Sequence, residues 1–238
     1  MIRVLLINQD VVPHFRVPIY GYLSRYLLKY GFDFMVVSGG IQEGNPHSIK
    51  FKYTKIHLNA YSLLKIIYKK RIDIIIFWVN LKYLYLFPTA FISKFVFKKK
   101  IIYWGHGRDL LDLNAQFKNL CYAIQQRMSD SIIIYAEHLK RYIPTSLHRK
   151  LFVANNTLYL NYQGLSSDQK ENVLSEYGIY TRKNIICIGR MHKRKRLDHL
   201  VEAFLKMNRN DIGLILVGPD PDGILVPLHR PEHADGRQ

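Results

Sequence analysis

Cysteine is nearly missing from this chain. Cys121 and Cys187 are the only two in 238 residues and stand far apart, which excludes a disulfide-stapled scaffold and a four-thiolate zinc site. A reduced, cytosolic setting fits that usage. Long hydrophobic runs are missing too. The opening Met1-Ile2-Arg3 leads into Val4-Leu5-Leu6-Ile7, shorter than the roughly 7–15 apolar residues of a signal segment. Tyr83 to Phe97 is the most membrane-like stretch, but it contains Pro88 and Lys94 and falls short of the roughly 20 residues that span a bilayer. No transmembrane helix is expected. The glycines never form G-x-G-x-x-G, so nicotinamide binding through that fingerprint is unsupported. Acidic residues are scarce, 18 against 35 Lys and Arg, giving a formal charge of +17. What the chain does have is apolar material: 48% hydrophobic residues and 13% aromatics argue against global disorder.

Three continuous apolar runs, Val4–Ile7, Ile72–Val79 and Ile101–Trp104, read as parallel strands covered on both faces; Ile132–Ile134 and Leu151–Val153 are weaker members of the same set. Helical spacing lies between them. Ile19, Leu23, Tyr26, Leu27 and Tyr30 form one stripe, stopped by Gly31. Leu63, Ile66 and Ile67 form a second, and Leu113 to Met128 a third. The alternation predicts an α/β, Rossmann-like, doubly wound parallel sheet over residues 1–160.

Residues 161–182 then read as a linker and connecting helix, with Ser167 or Asp168 as candidate cap. Residues 183–223 hold a strand (Asn184–Ile188), an amphipathic helix (Leu197, Leu200, Val201, Phe204, Leu205) and a strand (Gly213–Val217), the start of an incomplete second Rossmann-like domain. Residues 224–238 are an irregular polar tail. Two strands and one helix leave most of such a module's apolar surface bare, and a fragment of a longer protein is the expected explanation.

The charge is uneven. Residues 1–182 carry net +14 and residues 183–238 net +3; between 50 and 100 there are 12 Lys or Arg, 12 aromatics and one acid, Asp73. Near an anionic bilayer each such cation is worth about 1 kcal/mol, and aromatic rings settle at the headgroups. This suits an anionic membrane surface, with solvated lysines as the plain alternative. Nucleic acid is not expected, because no RNA- or DNA-binding signature accompanies the charge.

One segment bears the most specific chemistry. In Ile185-Ile186-Cys187-Ile188-Gly189-Arg190-Met191-His192-Lys193-Arg194-Lys195-Arg196-Leu197 a strand ends in Gly189, a basic loop follows, and a helix begins. The carboxyl end of a strand beside a helix N-terminus is where α/β proteins bind phosphate. Arg190 offers a planar fork and Lys195 a point charge. A second loop, Tyr103-Trp104-Gly105-His106-Gly107-Arg108-Asp109, sets His106 between glycines at a strand end. A surface histidine in a glycine turn is the plain reading there. Arg108 is suited either to a phosphate or to an ion pair with Asp109 or Asp112.

Gly189-Arg190, Lys195, Leu197, Leu200 and Glu202-Ala203-Phe204 together resemble the G-R-x-x-x-x-K-G…L-x-x-A-F signature of GT-B glycosyltransferases, specifically the retaining family 4 group. Leu214 to Asp220, Leu151 to Thr157 and Pro13-His14-Phe15-Arg16-Val17-Pro18 are similar to weaker signatures of the same family. The resemblance implies that Gly189, Arg190 and Lys195 bind the donor diphosphate and that His106 contacts the donor sugar beside the reacting carbon. It implies a retaining hexosyltransferase using a UDP- or GDP-sugar and a lipid-linked or polysaccharide acceptor, in bacterial surface-glycan (lipopolysaccharide-type) biosynthesis. Such an enzyme would sit in the cytoplasm, peripheral on the inner face of the membrane, with no metal and no cofactor. His14, Arg16 and Arg108 are candidate acceptor contacts.

Three departures stand out. The first loop lacks paired glycines, Arg196 replaces the usual glycine after Lys195, and no glutamate has another eight positions later, so the family's Glu-x7-Glu element is absent. Weak or no activity from this chain alone is therefore expected, and a non-catalytic, membrane-associated binding module or pseudo-transferase subunit is the alternative. His229-Arg230-Pro231-Glu232-His233 matches a zinc-peptidase pattern formally, but Pro231 breaks the helix that chemistry needs. Asp220-Pro221-Asp222 reads as a turn rather than a metal site.

Overall fold

Along the first strand, alternate side chains enter two different cores. Val4 and Leu6 pack with Val17, Tyr20, Phe34 and Val36 on one face. Leu5 and Ile7 pack with Val37, Leu63, Ile67 and Ile75 on the other. Both faces are covered, which is why the run is apolar at every position instead of alternating. The computed structural model describes residues 1–78, 82–109, 112, 114–155, 157, 164–220 and 223, in two units, Met1–Asn161 and Tyr162–Gln238.

In chain order the first unit contains β1 (Ile2–Ile7), β2 (Val11–Val12), α1 (Val17–Leu28), β3 (Phe32–Ser38), β4 (Gly40–Ile41), β5 (Lys52–Lys55), α2 (Ala60–Lys69) and β6 (Ile74–Trp78). There follow α3 (Leu86–Phe91), a π-helical turn (Ile92–Val96), β7 (Lys100–Gly105), α4 (Gln116–Met128), β8 (Ser131–Ile134), two 3-10 segments (Glu137–Tyr142 and Thr145–Lys150) and β9 (Leu151–Val153). The main sheet has seven strands in the order β5-β3-β1-β6-β7-β8-β9, and every pair in it is parallel. The chain winds outward from β1 to β5, then returns to the other side of β1 through β6. That reversal is the topological switch of a doubly wound fold. β2 and β4 form a separate short pair.

The sheet contains two strands that the apolar runs do not mark. In β3, Asp33 interrupts the run and pairs with Lys52 at 2.7 Å; in β5, Lys52-Tyr53-Thr54-Lys55 is a polar edge strand. Leu113 and Val79, at the margins of an expected helix and strand, lie outside the described residues. Tyr83 to Phe97 becomes α3 and the π-helical turn, and no helix among the described residues is long and apolar enough to cross a membrane.

The second unit contains α5 (Ser167–Glu176), β10 (Lys183–Ile188), α6 (Leu197–Lys206) and β11 (Ile212–Val217). α5 is capped one residue earlier than the sequence suggests: Ser166 accepts from the Gln169 amide, and Gln169 answers the Ser166 N–H in a reciprocal capping box. β10 and β11 pair in parallel. Among the described residues of this unit only Met191 and Leu197 are buried apolar side chains, while Ile186 (57%), Ile188 (78%) and Val217 (45%) are exposed. The 224–238 tail, with His229 to His233, lies outside the described residues, as do Pro221 and Asp222.

Candidate functional site

The carboxyl ends of the central strands in the first unit gather an aromatic and cationic cluster. Arg16 ends a short 3-10 turn (His14–Arg16) and directly precedes α1, so its side chain is fixed at the base of a helix. It is buried, with its guanidinium carbon 5.7 Å from the centre of the Phe15 ring, 5.8 Å from Trp104 and 5.9 Å from Tyr135. Rings at about 6 Å hold a cation by their negative faces. Asn8, just past β1, is buried and accepts from the Tyr20 hydroxyl at 3.1 Å, while its amide donates to the carbonyls of Asp10 and Val11.

His106 joins this cluster from the end of β7. Its ring lies 4.6 Å from that of Tyr135, which directly follows β8. Both flanking glycines are needed. A side chain at Gly105 would meet the Tyr103 hydroxyl at 2.8 Å. Gly107 has φ +86°, and a Cβ there would approach Ile143 Cδ1 to 2.9 Å. Gly107 is also tied down: its N–H donates to the Tyr103 hydroxyl at 3.2 Å, and its carbonyl accepts from Gln126 at 2.6 Å.

Electrostatics follow from this packing. Partial burial, and secondarily the Arg16 charge, lower the His106 pKa below 6.5, favouring a neutral imidazole. Burial pushes the Tyr20 phenol up to about 12 against the opposing pull of Arg16. It also raises Tyr135 above its ordinary value, again with Arg16 opposing.

Of the other residues expected in this unit, His14 is exposed and turned to Gln42: its Nδ1 is 3.1 Å from Gln42 Oε1, and its backbone N–H donates to the same oxygen at 3.3 Å. Arg108 lies 5.2 Å over the Tyr142 ring, and the Asp109 carboxylate pairs with Lys118 at 3.2 Å. The structure thus brings Arg16 and His106 onto Tyr135. Trp104, Tyr135 and Asn8 escape sequence reasoning, although each stands at or just beyond the carboxyl end of a strand, the position that marks a binding crevice in such folds.

In the second unit, β10 and β11 end side by side in glycines. The Gly189 N–H donates to the Val217 carbonyl at 2.8 Å. Gly218, at φ +145°, leaves no room for a side chain: a Cβ would collide with the Gly189 carbonyl oxygen. Beyond Gly189 the loop is anchored by buried Met191, whose N–H donates to the Pro219 carbonyl at 2.9 Å. A 3-10 turn (Lys193–Lys195) then leads to Arg196, held at φ +49° directly before α6. Arg196 is engaged by Asp198 through Nε and a terminal nitrogen, at 3.2 and 3.1 Å. Arg190 and Lys195 are both exposed, and neither has an ion pair among the described residues. Two cations at the end of a parallel strand pair, before a helix N-terminus, can attract and hold a polyanion.

No protein-family model matches the chain, and no curated protein matches it in sequence. Solved structures share its fold. A glycosyltransferase from Rickettsia africae ESF-5 superposes with a TM-score of 0.67 at 17% identity, covering 91% of this chain and 60% of that one. A protein assigned as a UDP-N-acetylglucosamine 2-epimerase, from Listeria monocytogenes, gives 0.57 at 14% identity, covering 90% and 62%. A further UDP-N-acetylglucosamine 2-epimerase gives 0.51 at 12% identity, again covering 90% and 62%. The Rossmann-like α/β architecture is therefore one this chain shares with these solved structures. The chain spans about 60% of the length of these structures.

Proposed function

We propose that this chain is the acceptor-side domain and part of the donor-side domain of a glycosyltransferase of the GT-B type. Such an enzyme moves a hexose from a UDP- or GDP-sugar to a lipid-linked or polysaccharide acceptor with retention, at an anionic membrane surface. The observation that supports it best is the pair of exposed cations, Arg190 and Lys195, without an ion pair among the described residues, after a strand pair ending in glycines. In this mechanism the bond from the anomeric carbon to the diphosphate breaks, a bond to an acceptor hydroxyl forms, and the hydroxyl proton leaves with the diphosphate. Arg190 and Lys195 neutralise the charge that grows on the departing diphosphate. His106, neutral beside Arg16, hydrogen-bonds the sugar, while Arg16 holds a fixed positive potential in the crevice. The retaining family 4 assignment rests on the sequence resemblance, and the membrane surface on the charge and aromatics of residues 50–100.

Nucleotide binding tests the reading. UDP or GDP is expected to raise the thermal midpoint of the chain. Arg190→Ala should weaken binding about tenfold, the loss of one charge-assisted contact. No response to any nucleotide diphosphate or its sugars would overturn it. Because two of the matched structures are epimerases, a second reading is rearrangement of a nucleotide-sugar without an acceptor. Product analysis with and without acceptor glycan separates the two.

A further inference from the structure

On the sheet face that carries α2, the first unit holds an apolar slot of about 440 Å³ between α3 and α4. Phe77, Ile101 and Tyr103 line it from β6 and β7, Phe87 and Phe91 from α3, and Ile124 and Met128 from α4; the Gln125 amide and the Tyr103 hydroxyl, which already accepts from the Gly107 N–H, are the polar groups among the residues lining it. Its rim is apolar as well. Phe91 (55% exposed) and Phe95 (46%) stand one turn apart with ring centres 4.8 Å apart, and α4 presents Leu120 (54%) and Ile124 (43%). Contiguous exposure of this kind marks an interaction surface. The wall beyond Phe91 is the π-helical turn Ile92–Val96, an irregularity found most often at functional sites.

We infer that this slot receives a hydrocarbon chain of an anionic membrane lipid. A sugar, nucleotide or peptide would bury polar groups there without partners, at a cost that one glutamine amide and one already bonded phenol do not offset. The charge nearby selects the headgroup. Exposed Lys98 and partly exposed Lys99 follow the π-helical turn, and exposed Arg127 stands next to Met128 on α4; none of the three has an ion pair among the described residues. The same cations disfavour a second copy of the chain on this face, because like charges would be brought together. The inference rests on the membrane-docking part of the proposed function and assigns that contact to particular residues.

The test is vesicle flotation combined with fluorescence of the conservative variant Phe91→Trp. With vesicles of phosphatidylcholine and phosphatidylglycerol, the introduced indole should shift to the blue and be quenched by lipids brominated on the acyl chain. Neutral phosphatidylcholine vesicles should do neither. The double variant Phe91→Ser with Ile124→Ser, at exposed positions that leave the core intact, should bind anionic vesicles at least about tenfold more weakly. Circular dichroism confirms that it is folded. Flotation without any shift or quenching would mean docking by charge alone and overturns the slot while leaving membrane docking intact. A dimer in light scattering that the double variant abolishes assigns the face to a second copy and also overturns it. Failure to float on anionic vesicles removes the slot and the membrane docking together, whereas the nucleotide-binding measurement still decides the transferase reading.

Discussion

His106 is a neutral imidazole kept so by its neighbours, and that has a pH signature. Its pKa is lowered in the fold by burial and then by Arg16, so the unfolded chain takes up this proton first as pH falls. The associated stability is complete above the unfolded value of about 6.5 and is lost as pH drops through the lower folded value. His106→Gln should therefore flatten the decline of the unfolding midpoint below about pH 6.5, read from thermal melts of both proteins across the acid range. Profiles that stay parallel would mean the depression is absent. Arg16→Gln removes the nearby cation, and the His106 resonance, followed by NMR, should then titrate at higher pH than in the parent chain.

Among elements, the turns that follow β10 and β11 make opposite demands at two positions. Gly218 sits where only glycine fits, so Gly218→Ala should cost at least about 1–3 kcal/mol in denaturant unfolding. Arg196 sits at φ +49°, a conformation that strains a residue with a side chain and suits glycine. Arg196→Gly should raise the thermal midpoint by a few degrees despite losing the contact with Asp198; a lowered midpoint would mean that the pair outweighs the strain. This explains in physical terms why the resembling signature carries glycine there. Continuous apolar runs such as Val4–Ile7 are legible because burial on both faces writes itself into every position. β3 and β5 are not, since Asp33 is satisfied by Lys52 and an edge strand needs little apolar content. In the site, His106 is legible from its glycines. Tyr135 and Trp104 are not, because they meet His106 or Arg16 only once β7 and β8 pair.

At the scale of the molecule, burial is unequally shared between the units. The first has cores on both faces of its sheet and a further cluster around Ile132, Ile134 and Leu139; among its described residues the second buries only Met191 and Leu197 of its apolar side chains. Amide hydrogen exchange should therefore be faster in β10 and β11 than in β1 and β6, by the difference in free energy of opening. Equal protection would show that the second unit draws stability from elsewhere. The two-stranded pairing of β10 and β11 also has a colloidal consequence. Among the described residues each strand has one row of amides and carbonyls with no strand beside it, and such rows recruit segments from neighbouring molecules. Concentrated solutions of this polypeptide are thus prone to turbidity by intermolecular strand addition, and capping that border, by a companion polypeptide or by a lysine facing outward, is the route to keeping it monodisperse.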